Sequence, residues 1–122
     1  MKRIILLPLV ILLLVATVTA GKITTEGELI DTACYLGMKA SGKDHKMCAS
    51  MCAKKGLPIA ILTKKGEVIN IISIPAEYGK IMGSTVKIEG EFYEEAQSLK
   101  PTKMWVEKNG KWKEHGLPKS GM

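Results

Sequence analysis

Pro58-Ile59-Ala60-Ile61-Leu62-Thr63-Lys64-Lys65-Gly66-Glu67-Val68-Ile69-Asn70-Ile71-Ile72-Ser73 decides what kind of fold this chain can make. Two runs rich in β-branched residues flank a short polar turn that ends on glycine, the pattern of a β-hairpin. Pro75 stops the second run, because proline cannot donate to a ladder. Beyond it, residues 76–82 suit a short helix closed by Gly83. Ser84 to Tyr93 then alternates, with Val86 and Ile88 on one face, and is expected to be a half-buried strand. Gly90 inside that strand marks a bulge or sharp bend. Lys103 to Lys108 is expected to be the fifth strand. Asn109-Gly110 is a type I′ turn signal, and Lys111-Trp112-Lys113 pairs back after it.

Upstream of the hairpin, residues 45–55 are expected to be helical. Asp44 is the expected N-cap, its carboxylate accepting first-turn amides. Gly56 can take the left-handed position after the last turn, and Pro58 prevents continuation. Met47 and Met51, at i and i+4, are expected to pack against the sheet as core filler. Before the helix, Glu28 to Tyr35 reads as the first strand, with Ile30, Thr32 and Cys34 on one face and Leu29, Asp31, Ala33 and Tyr35 on the other. Residues 21–26 read as a loose leader, and residues 116–122 as a disordered tail.

The first 20 residues read as a secretory signal peptide. Lys2 and Arg3 precede the apolar run Ile4 to Val15, and Val18-Thr19-Ala20 ends on small residues. The competing reading is an anchor formed by residues 4–20, which lies at the short limit for spanning a bilayer. No cysteine follows the apolar run, which argues against a lipidated N-terminus. Cleavage leaves roughly 100 residues, residues 21–115 forming one domain with its own core. The expected location is therefore periplasmic or extracellular. The net charge is +6, and two of those charges come from Lys2 and Arg3. The remaining lysines are spread along the chain, a solvated basic surface rather than a nucleic-acid patch. Any partner is then an unknown protein or small molecule, and membrane contact is confined to the signal segment if it stays uncleaved.

All 3 cysteines lie between Cys34 and Cys52. On a helix, His45, Cys48 and Cys52 fall at i, i+3 and i+7 and share one stripe. Cys34 can fold back over it, giving a Cys3His set suited to zinc, or to Cu(I) through its soft thiolates. Asp31 or Tyr35 could orient the imidazole. The competing reading is a disulfide from Cys34 to Cys48 or Cys52 that staples the helix and leaves one inert thiol. In an exported protein pairs normally oxidise, but an odd count leaves one sulfur over, and that favours the ion. A third reading is a Cys48/Cys52 redox pair with Lys46 and Lys55 close by. Covalent haem is excluded locally, since Ala53 stands where a histidine is needed. No catalytic constellation is evident, so a binding or accessory role is expected. Trp105 and Trp112 are expected to be a cross-strand packing pair.

The passage from Ile81 to Gly90 and the opening Glu26-Gly27-Glu28-Leu29-Ile30-Asp31 resemble the OB fold, over residues 25–108. The resemblance implies a mainly β, five-stranded Greek-key barrel, here with a Cys/His-bearing helix inserted between strands 1 and 2 and a short helix before strand 4. Asp31, Cys34 and Tyr35, then His45, Cys48 and Cys52, then Gly56 and Pro58, are similar to a pattern in small exported bacterial proteins of uncharacterised function. That likeness implies export and assigns no reaction.

Overall fold

The structure is a computed structural model that describes residues 20–118. The expected signal segment, Ala20 apart, and residues 119–122 lie outside the described residues. Among them the order is β1 (Gly21–Asp31), α1 (Thr32–Met38), α2 (Lys46–Lys54), β2 (Ile59–Thr63), β3 (Val68–Ile71), β4 (Thr85–Tyr93), β5 (Ser98–Lys108) and β6 (Lys111–His115). Short 3₁₀ segments occupy Lys43–His45, Pro75–Ile81 and Glu94–Ala96.

The molecule is mainly β, one sheet of 6 strands in the order β3-β2-β1-β4-β5-β6. Neighbours in that order are antiparallel. A short parallel pairing of β3 with β5, Asn70 opposite Ser98 and Ile71 opposite Leu99, curls the sheet part-way into a ring. β6 lies outside that ring, on β5. Alternate residues of the strands, among them Ile59 and Ile61, Val86 and Ile88, and Met104 and Val106, fill the core. The sequence places the β2–β3 hairpin, β4 and the tight turn correctly. Asn109 and Gly110 both have positive φ, as a type I′ turn demands.

The first strand departs from expectation at both ends. Residues 21–26 are not a loose leader: Gly21 to Glu28 pairs with β4. Lys22-Ile23-Thr24-Thr25 is β-prone, and Ile23 packs partly buried against the core. The strand stops at Asp31, and residues 32–35 turn into α1. β1 changes partner at Gly27, which is opposite both Val86 of β4 and Thr63 of β2. A Cβ at residue 27 would overlap the Leu62 carbonyl and the Ile61 side chain. Gly27→Ala is therefore expected to destabilise the fold by about 2–4 kcal/mol, read by chemical denaturation.

β5 is longer than its expected range and starts at Ser98. Pro101 lies inside this strand. It sits opposite Gly90, where the register shifts, so a bulge accommodates the missing N–H. The expected helix over residues 76–82 is a 3₁₀ segment.

α2 ends as its sequence indicates. Gly56, at φ 89°, follows the last turn. Its N–H donates to the Ala53 carbonyl at 2.9 Å, and that of Leu57 to Cys52 at 3.1 Å, the paired bonds of a Schellman motif. Its start differs. His45 occupies the N-cap without a side-chain bond to the helix amides, and Asp44 falls inside the preceding 3₁₀ turn. The packing face differs too. Ala49 and Ala53 are buried, whereas Met47 is 78% and Met51 53% exposed. α2 packs on the Pro75–Ile81 segment, and where the two approach, a Cβ on Gly79 would press on the Lys54 stem.

Tyr78 of that segment is 3% exposed, and burial pushes its phenol up to about 12, with the Glu77 charge adding to it. A raised pKa means the folded state holds the proton that the unfolded chain releases. Stability is therefore expected to be intact below pH 10 and to fall between pH 10 and about 12. The loss should be about 2–3 kcal/mol, and Tyr78→Phe should remove most of it in denaturation curves across that range.

Candidate metal centre

Asp31 organises the site. It ends β1, opposite Ile59 of β2, and is wholly buried. Its extended backbone makes it the N-cap of α1, and its Oδ1 accepts from the Cys34 amide at 2.8 Å. Its Oδ2 lies 2.9 Å from Nε2 of His45. Burial works to raise this carboxyl's pKa. The bonds from the Cys34 amide, the imidazole and the Cys34 thiol outweigh it and hold the pKa below the ordinary 3.8. Asp31 is thus a buried anion at neutral pH, kept so by three donors.

The other residues follow from that anchor. The cap starts α1 one residue after Asp31 and sets Cys34 in its first turn, not at a strand end as the alternation suggested. The loop after α1 is tied back where the Gly42 amide donates to the Glu28 carboxylate. That tie positions the 3₁₀ turn ending at His45, from which α2 carries Cys48 and Cys52 one turn apart. Cys34 and Cys52 are half-buried, Cys48 is exposed, and all three are free thiols.

The donor atoms fall into two overlapping sets. The sulfurs of Cys34, Cys48 and Cys52 lie within 4.8 Å of one another, and so do donor atoms of Asp31, Cys34 and His45. Three cysteines, a histidine and an aspartate therefore lie close enough to hold a metal ion. Cys34 belongs to both sets. His45 is grouped with Cys34 and Asp31, while Cys48 and Cys52 are grouped with Cys34. Bonds of about 2.3 Å to one ion put sulfurs about 3.8 Å apart, so the thiols need to draw in by no more than about 1 Å.

No family model, no curated protein and no solved structure matches this chain.

Without an ion Cys34 and Cys52 hold their protons. The Asp31 carboxylate, as hydrogen-bond acceptor first and then with burial and its charge, pushes Cys34 up to about 12. Burial is the main influence raising Cys52. A thiol so disposed is a poor nucleophile at neutral pH, which weakens the Cys52 half of the Cys48/Cys52 redox reading. A metal ion held by these thiols would reverse the balance by displacing their protons. Asp31 is bonded to the imidazole, as its expected orienting role requires, and its cap on the Cys34 amide and its place beside the donors add to that role. The signal was available in Asp31-x-x-Cys34, the spacing of a cap and the amide it receives. Tyr35 plays no orienting part; its ring lies 4.9 Å from Lys39 Nζ. Trp105 and Trp112 flank Lys87, whose Nζ lies 5.0 and 4.8 Å from their ring centres.

Proposed function

We propose that this is an exported accessory protein that holds a zinc or copper ion through Cys34, His45, Cys48 and Cys52 and carries out no catalysis of its own. The observation that carries the reading is the convergence of three sulfurs within 4.8 Å beside a histidine bonded to a buried carboxylate. Ligating histidines usually donate their other ring N–H to a carboxylate. Nε2–H on Asp31 would leave the Nδ1 lone pair for the ion. Export is supported by Lys2, Arg3 and the apolar run after them. The barrel is best read as OB-like, because β1-β2-β3-β5-β4 is the ring order of that Greek-key design and a short helical segment stands before β4.

Metal analysis with thiol titration of the purified mature protein tests the reading. Zinc or copper near one per chain, with no disulfide, is the expected result. A Cys34 disulfide with one free thiol and no metal points to a stapled ligand- or protein-binding module instead, and a reversible Cys48–Cys52 bond to redox chemistry. The buried core is built without the cysteines. The apo protein should therefore stay folded, and saturating ion at 100 times its Kd should add about 2.7 kcal/mol of stability.

A further inference from the structure

The outward side of α2 holds a feature that neither the core nor the thiol set uses. Met47 and Met51 stand in solvent, and with Lys43, Lys46, Lys54 and Lys80 they line an open groove of about 480 Å³. Thioethers four residues apart on a helix have Cβ atoms about 5–6 Å from each other, and so do Cys48 and Met51 at i, i+3. The exposed Cys48 is thus a neighbour of the methionine pair and a member of the thiol set. Thioether sulfur is a ligand for Cu(I), whereas protein zinc is held by Cys, His and carboxylate. Four ammonium groups repel a bare cation but attract an anionic complex that carries one.

Resting on the metal-binding reading above, we propose that this groove is a capture site where an anionic Cu(I) complex delivers its ion to Met47, Met51 and Cys48, from which it passes to Cys34 and Cys52. Copper remains Cu(I) throughout. Each step forms one Cu–S bond and breaks one bond to the donor or to a thioether, and each thiol that joins releases its proton to water. The lysines hold the anionic donor during the exchange. The cargo is therefore Cu(I), and Cys48 is the residue through which it enters.

The test follows transfer from the anionic Cu(I)–bathocuproine disulfonate complex by loss of its absorbance, beside loading with buffered Zn(II). The double variant Met47→Leu, Met51→Leu keeps exposed apolar side chains and helix propensity, so its fold should be unchanged. It is expected to take up Cu(I) about tenfold more slowly while its final Cu(I) affinity stays within about threefold and zinc loading is unaltered. Lys46→Gln with Lys54→Gln should slow Cu(I) transfer and flatten its salt dependence. Equal rates in the methionine variant and the native protein would overturn the proposal, as would an equal slowing of zinc. Zinc binding with no uptake of Cu(I) also overturns it and leaves the metal-binding reading standing. Failure to bind either ion removes both.

Discussion

Cys34→Ser is expected to weaken ion binding more than any other single change at the site. Cys34 alone belongs to both donor sets, so its loss leaves two sulfurs on one side and an Asp31–His45 pair on the other. Structural zinc affinities near 10–16 kcal/mol spread over four ligands imply about 3 kcal/mol per thiolate, or a fall of about 100-fold or more. His45→Ala should cost less, because His45 is grouped with Cys34 and Asp31 alone. Competition against a chelator of known affinity gives the ranking, with Cys48→Ser and Cys52→Ser between the two. The apo fold is a sensitive control, because the Asp31 cap is made to the backbone amide of Cys34, which serine retains. Denaturation midpoints of the apo proteins should therefore agree within about 1 kcal/mol. If Cys34→Ser binds as well as the native chain, the ion is not held where the two sets meet.

What the sequence reveals about this site, and what it conceals, follows from the range of the interactions involved. The β2–β3 hairpin, the Asn109-Gly110 turn and the end of α2 at Gly56 are each specified by residues within a few positions, and each is found where expected. Residues 28–35 fit a strand alternation throughout, and the Asp31 cap on the Cys34 amide breaks the tie. Asp31 caps α1 while holding a histidine 14 residues away, and that second bond is invisible to any local pattern. The methionines of α2 were misjudged for a related reason. Met47 and Met51 look like a core stripe until the neighbour is known, and the close approach of the Pro75–Ile81 segment admits Ala49 and Ala53 in their place. The start of β1 was missed because its partner, β4, lies some sixty residues on. The cluster of thiols was legible from spacing alone. Its division into two sets about Cys34 depends on the packing of α1 against β1, which no spacing encodes.

Ion affinity is expected to rise steeply with pH, by about 100-fold per unit through the neutral range from Cys34 and Cys52 alone. The Asp31 carboxylate pushes Cys34 up to about 12, and burial raises Cys52, so both carry protons in the ion-free protein. The bound ion requires thiolates. Each site that gives up a proton on binding adds a factor of about ten per pH unit for as long as the pH stays below its free-state pKa. The sign is fixed by this exchange: acid returns the protons and expels the ion, and base favours loading. The Asp31→Asn variant separates the contributions. Without the carboxylate as acceptor and charge, the Cys34 thiol should titrate lower, and the pH at which its term levels off should move down with it. Titrations at a series of pH values, read by chelator competition and by direct measurement of protons released into weak buffer, would show two or more protons per ion in the native chain. A slope no steeper than about tenfold per unit would mean that at most one thiol surrenders its proton on binding. A carboxylate and an imidazole would then be doing most of the holding, and at least two of the three sulfurs would be bystanders to the ion.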